Sequence, residues 1–143
     1  MIRILFFLSA LLPLQAFAEA RSLASIEKTK ELAEAVMTDV GNNAMLKGLA
    51  LLKPYVMFSE AEFNAQMNNV SSQLPVMDQH YGKSLGYDFV SKELIGDTLV
   101  KYIFLQKFER HLMTWHFIFY KPKDKWLLNT FYFNDDSAAL FLR

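Results

Sequence analysis

The spacing of apolar residues changes from a helical repeat to an alternating one near Lys83, and this change limits the possible folds most strongly. Before Lys83, apolar residues recur every three or four positions. After it, they alternate with polar residues in segments rich in Phe, Tyr and Trp, which favour β-strands. The sequence therefore predicts an α+β fold, with helices first and an antiparallel sheet after them.

Two helices are predicted before residue 55. Residues 22–40 carry one apolar stripe opposite a charged face, and Gly41 is a natural stop. A shorter helix over residues 43–52, capped by Asn43, must end before Pro54, because the residue preceding proline is forced out of the helical region.

The third helix has the clearest local signature in the chain. Ser59 and Glu62 have the spacing of a capping box, and Phe58 and Phe63 that of a hydrophobic staple. The apolar stripe continues past Pro75, where we expect a kink or a break. Its members are Phe63, Met67, Val70, Leu74 and Met77.

The second half predicts four strands, with a fifth left open. The candidate strands are residues 85–94, 98–108, 111–121 and 125–134, joined in part by tight turns. Pairing across the turns gives a strongly aromatic inner face, which we expect the helices to cover. Its members are Val100, Tyr102, Phe104, Gln106, Met113, Trp115, Phe117, Phe119, Leu127, Asn129, Phe131 and Phe133.

A candidate ligand cavity lies on this inner face. Three polar side chains, Tyr102, Gln106 and Asn129, are surrounded there by Phe104, Trp115, Phe117 and Phe131. A few polar groups within an aromatic lining are typical of a small-molecule pocket. The alternative is a packed interior in which each polar group has an internal hydrogen-bond partner.

The outer face of the sheet also carries apolar residues, in particular Ile118, Trp126 and Leu128. An exposed apolar surface of this kind indicates a partner. We expect a homodimer through this face.

The N-terminus has the pattern of a secretory signal peptide. Arg3 supplies a positive charge, residues 4–12 are apolar, and Ala16 and Ala18 are the small residues before a cleavage site. An uncleaved anchor is the alternative, but the apolar stretch is shorter than the roughly 20 residues that a membrane span needs. We expect cleavage after Ala18, a single domain over residues 19–143, and a periplasmic or secreted protein without membrane attachment.

Composition and motifs exclude several functions. The chain has 15 basic and 15 acidic residues and no Cys, which argues against nucleic-acid binding and excludes thiol chemistry, disulfides and iron–sulfur sites. It has no G-x-S-x-G, Walker or H-E-x-x-H motif. His111 and His116 are interpreted as a turn residue and a sheet residue, and Asp135 and Asp136 as a solvated strand end. No metal or cofactor is expected.

The chain resembles the nuclear transport factor 2-like superfamily, which includes ketosteroid isomerases and SnoaL-like cyclases. The likeness rests on the order of elements and on residues 58–63, 113–120 and 125–133. It implies a cone-shaped roll with a cavity between helices and sheet. Catalytic members use an inward Asp or His base and a Tyr donor, and the inner face here has no Asp. A cystatin-like fold, with one helix rather than three, is the alternative.

Two functions are compatible with these sequence features. The first is an exported, non-catalytic binding or interaction module that holds a small apolar ligand in the cavity. The second is a small isomerase, lyase or hydrolase in which Tyr102 donates a hydrogen bond and His116 acts as the base, which would require a shifted strand register.

Overall fold

A computed structural model describes residues 19–142 of the chain. The predicted signal peptide, residues 1–18, lies outside the described residues. Within them, three α-helices pack on a four-stranded antiparallel sheet, which confirms the predicted α+β fold. None of the helices in residues 19–142 combines the length and the apolar composition needed to cross a bilayer.

The first helix begins later than its apolar pattern predicts. α1 spans Ile26–Gly41, and Ser25 caps it by accepting a hydrogen bond from the Lys28 amide at 3.3 Å. The residues before it are extended, because the Leu23 amide donates to the Trp126 carbonyl at 2.8 Å. The short helix α2, Met45–Ala50, packs against α1, and a 3₁₀ turn follows at Lys53–Tyr55.

The start of the third helix is as predicted. α3 spans Glu60–Tyr81, and both hydrogen bonds of the capping box between Ser59 and Glu62 are formed. The rings of Phe58 and Phe63 stack with centroids 6.2 Å apart.

A kink or a break was predicted at Pro75, and α3 continues through it without a break. Proline removes one helical hydrogen bond, but Leu74 and Met77 on either side still pack against the core. The helix ends instead at Gly82, whose φ of 80° is a backbone conformation that glycine adopts without steric cost.

The sheet is a simple meander. Its strands are β1 Ser84–Ile95, β2 Leu99–Phe108, β3 Leu112–Tyr120 and β4 Leu127–Asn134, in the order β1-β2-β3-β4. In the β2–β3 register Tyr102 lies opposite Phe117 and Phe104 opposite Trp115. These pairs are the ones that the predicted inner face requires.

A β-bulge in β4 reverses the predicted faces of the residues that precede Thr130 in the chain. Thr130 pairs with Ile118, but Leu128 pairs with Phe119, so Asn129 is an extra residue. One additional residue exchanges the faces of everything beyond it. Asn129, expected inside, is therefore exposed, whereas Leu128 and Trp126, expected on the outer face, are 2% and 5% exposed and belong to the core.

Candidate functional site

The aromatic residues predicted to line a cavity are packed against one another. Tyr102, Phe104, Trp115 and Phe117 are each fully buried. The ring of Phe117 lies 5.9 Å from that of Phe104 and 6.3 Å from that of Trp115, measured between centroids. None of these four side chains lines the clefts that residues 19–142 form beside α3. Together they form the centre of the hydrophobic core.

Tyr102 connects the sheet to α1. Its hydroxyl donates to the carbonyl oxygen of Ile26 at 3.2 Å and lies 2.9 Å from the hydroxyl of Thr29. The Thr29 hydroxyl donates to the same carbonyl at 2.6 Å. Burial raises the pKa of Tyr102 above its ordinary value, because the charged phenolate is disfavoured away from water. The phenol stays neutral and holds the first turn of α1.

Gln106 is the centre of a second internal network. Its amide nitrogen donates to the Val40 carbonyl at 3.2 Å and to the Ser84 hydroxyl at 3.1 Å. Its amide oxygen accepts a hydrogen bond from the indole nitrogen of Trp115 at 3.0 Å. One amide thus connects α1, β1 and β3, and its oxygen keeps a second lone pair.

His116 lies on the face opposite Tyr102. Its ring stacks on that of Tyr132, with centroids 4.4 Å apart, and its Nε2 lies 3.1 Å from the Thr114 hydroxyl. In the β2–β3 register its partner is Ile103, next to Tyr102, and adjacent residues of a strand point to opposite faces. The Tyr102–His116 pair expected of a cone-type enzyme is not brought together, because the register is not shifted.

A cleft lies where the end of α3 passes over the sheet, and we call it the α3 cleft. Its volume is about 640 Å³, within the range of roughly 300 to 1,000 Å³ typical of small-molecule sites. Five apolar side chains line it, together with Asn43, Gly82 and Gln106. The five are Val40, Met45, Leu74, Met77 and Phe108.

Four charged side chains stand at the edge of the α3 cleft, namely Asp78, Lys83, Glu109 and Arg110. The Arg110 side chain is hydrogen-bonded within the protein. Its guanidinium donates to carbonyl oxygens at the end of α3, including that of Gln79 at 2.9 Å. A cation there also opposes the negative end of the helix dipole. With two charges of each sign, the cleft entrance has no net formal charge.

Two smaller clefts lie on the other side of α3. Phe131 lines both, and Asn129 lines one of them, with volumes of about 270 and 290 Å³. Of the predicted site residues, Gln106 therefore reaches the α3 cleft, Asn129 and Phe131 reach the smaller clefts, and the other four lie in the core.

The sequence did not identify the α3 residues as cleft residues. Leu74 and Met77 were predicted only as members of the apolar stripe of the third helix, and both are half-buried. A signal was present in the charges that follow them in the chain, Asp78 and Lys83. Placing Asp78 and Lys83 in one cleft also requires knowing where the β2–β3 turn lies, because Glu109 and Arg110 of that turn complete the lining.

A cluster of polar side chains next to the cleft was also missed. The Tyr81 hydroxyl donates to Asp135 Oδ2 at 3.1 Å, and His111 Nε2 lies 3.4 Å from the same oxygen. The hydrogen bond from His111, followed by that from Tyr81, lowers the pKa of Asp135. Across residues 19–142, no three His, Asp or Glu side chains are grouped so as to hold a metal ion.

No family model matches the chain, and searches of curated proteins and of solved structures give no significant match.

Proposed function

We propose that the protein is a non-catalytic binding module that holds a small, largely apolar molecule in the α3 cleft. The observation that carries this proposal is the cleft itself, about 640 Å³ lined by Val40, Met45, Leu74, Met77 and Phe108, with the Gln106 amide among them. Apolar walls with the two amide residues Asn43 and Gln106 among them are suited to burying a ligand and fixing its orientation.

The chemistry of the ligand follows from the walls and the edge. Two methionines, Met45 and Met77, line the cleft, and their flexible thioether side chains adapt to apolar ligands of different shapes. The second lone pair of the Gln106 oxygen accepts one hydrogen bond from a ligand hydroxyl or amine. An entrance without net formal charge favours an uncharged molecule.

The separation of Tyr102 from His116 favours binding over catalysis. The Tyr102 hydroxyl is used within the core, on Ile26 and Thr29. His116 stacks on Tyr132 of the outer face. A Tyr donor and a His base must reach one substrate atom to act together, and these two are directed to opposite sides of the sheet.

A binding titration with the uncharged fluorescent probe N-phenyl-1-naphthylamine tests the proposal. Leu74→Trp places a larger ring in the cleft, and we expect it to weaken probe binding about tenfold or more, a change of roughly 1.4 kcal/mol. Val76→Trp, on the same helix but at a position that is 56% exposed, is the matched control. Equal binding by both variants would show that the probe binds elsewhere.

We further propose that the protein is exported and acts in the periplasm. The proposal is supported by the charge of Arg3, the apolar residues 4–12 and the small residues before position 19. The intact mass of protein from the periplasmic fraction should correspond to a chain that begins at Glu19. A mass that includes residues 1–18 would contradict cleavage.

The resemblance to the nuclear transport factor 2-like superfamily belongs with these proposals. The order of three helices and an antiparallel meander supports it. An experimental structure of the protein with a bound apolar ligand is its direct test.

A further inference from the structure

The first strand forms one edge of the sheet and carries exposed apolar side chains. β1 is 12 residues long, and among residues 19–142 it pairs with β2 alone. Leu85, Phe89, Val90 and Leu94 are 63%, 46%, 37% and 56% exposed. A long apolar edge with free backbone donors and acceptors is a template for another strand.

The exposed apolar residues of β1 are arranged symmetrically about its midpoint, which lies between Phe89 and Val90. Leu85 precedes this midpoint by the same number of residues as Leu94 follows it. A twofold axis at the midpoint would pair two copies of β1 antiparallel along their whole length. Each Leu85 would then lie opposite the Leu94 of the other copy, and each Phe89 opposite its Val90. This self-complementarity is what a twofold interface requires.

A β-bulge makes the faces agree in this pairing. In a regular strand, residues an odd number of positions apart lie on opposite faces, which would forbid it. The bulge between Phe89 and Ser91 changes the alternation, so Tyr87 and Lys92 both pair with inner-face residues of β2. Asp88 and Ser91 both pair with outer-face residues. From Gly86 to Glu93 the two halves of β1 therefore match each other face to face, and this match ends at a second bulge between Ser84 and Gly86.

The charges of β1 select the centred register. A shift by two residues in one direction would place Asp88 opposite Glu93 twice, and like charges directly opposite are destabilising. A shift in the other direction would leave Leu94 and Ile95 beyond the end of the partner strand. In the centred register, Glu93 faces Gly86 and no like charges are opposite each other.

We propose that the protein forms a homodimer in which the β1 edges of two copies pair antiparallel in this centred register. The two four-stranded sheets join into one continuous sheet. This interface replaces the predicted one on the outer face, two of whose residues, Trp126 and Leu128, are buried in the core.

Sedimentation of the purified protein is the first test. We expect a dimer, and we expect Leu85→Lys and Leu94→Lys each to convert it to a monomer, because the two leucines face each other at the interface. Met57→Lys and Val76→Lys, at positions 72% and 56% exposed outside β1, are the controls and should leave the dimer intact. Circular dichroism checks that each variant is folded. A monomeric parent protein, or a dimer unaffected by both leucine variants, would overturn the proposal.

Cysteine cross-linking is the second test and reads the register directly, because the chain has no native Cys. The bulge leaves Asp88 and Ser91 opposite β2 residues only two positions apart, about 7 Å, so the single variants Asp88→Cys and Ser91→Cys are mixed, because neither chain can then form an internal disulfide. Across the proposed axis the two thiols are directly opposite, so mild oxidation should give a covalent dimer. A mixture of the single variants Asp88→Cys and Glu93→Cys is the control for a shifted register and should stay uncross-linked. Cross-linking of the second mixture instead of the first would refute the centred pairing.

Discussion

The amide oxygen of Gln106 accepts a hydrogen bond from the indole nitrogen of Trp115 at 3.0 Å, from one central strand to the next. Both side chains are almost fully buried, and the Gln106 nitrogen is bonded at the same time to Val40 and Ser84. The same amide also lines the α3 cleft. If the cleft binds a ligand as we propose, the stability of the core and the contact with the ligand therefore depend on the same residue.

Replacing Gln106 by Leu should destabilise the protein. The change leaves the buried Trp115 indole without its acceptor, and an unsatisfied buried group costs about 1 to 3 kcal/mol, whereas the Val40 carbonyl keeps the Asn43 amide as a donor. Asn129→Leu is the matched control, because Asn129 is exposed and such changes stay within about 0.5 kcal/mol. Urea unfolding measures both, and equal effects would contradict the assigned network.

Replacing Trp126 by Ala should lower the free energy of unfolding by roughly 3 to 5 kcal/mol, since the residue is part of the core. The effect of Ile118→Ala should be smaller, because Ile118 is half-buried on the outer face. Thermal unfolding compares the two variants. A larger loss for Ile118 would contradict the faces that the β4 bulge sets.

Replacing Ser59 by Ala should cost about 1 kcal/mol. Its hydroxyl accepts from the Glu62 amide at 3.2 Å, and this bond satisfies one of the free amides at the start of α3. Ser72→Ala is the control within the same helix, because the Ser72 hydroxyl bonds the Asn69 carbonyl and caps nothing. Chemical unfolding should separate the two variants.

The stability of the protein should fall in acid partly through Asp135. Hydrogen bonds from His111 and then Tyr81 hold the pKa of Asp135 below its ordinary value of 3.8. A carboxyl with a lowered folded-state pKa stabilises the fold fully above its ordinary value, and this contribution is lost as pH falls through the lower folded-state value. Asp135→Asn should remove that part of the pH dependence.

The control for the acid experiment is Asp97→Asn, an exposed loop position. Stability measured from neutral pH into the acid range should have the same pH dependence in this variant as in the parent. Identical curves for Asp135→Asn and the parent would show that the Tyr81–His111–Asp135 cluster contributes nothing.

Local signals predicted most of the fold. The capping box at Ser59 involves residues three apart, and the alternation around Tyr102 and Phe117 repeats within each strand. Neither depends on distant parts of the chain. The pairing of β2 with β3 follows because a short turn joins them, and a tight turn sets the register.

The rest of the fold depends on distant contacts. No local sequence signal identifies Asn129 as the residue that bulges in β4. The start of this strand is held by the bridge between Leu23 and Trp126, which are far apart in the chain. The surroundings of the candidate site residues depend on distant contacts in the same way. Tyr102 and Gln106 lie inside, as predicted. Whether they line a cavity or are hydrogen-bonded within the core depends on the position of α1, which supplies their partners Thr29 and Val40.

Pro75 gives α3 an internal point of weakness. It has no amide hydrogen, so the carbonyl of Ser71 lacks the donor four residues ahead that an unbroken helix supplies. Both ends of α3 are fastened, the first by its cap at Ser59 and the last by Arg110. The helix therefore bends most easily in the turn beside Leu74 and Met77, which form a wall of the α3 cleft. If the cleft holds a ligand as we propose, flexing this one turn would widen the site while both attachments of the helix stay in place.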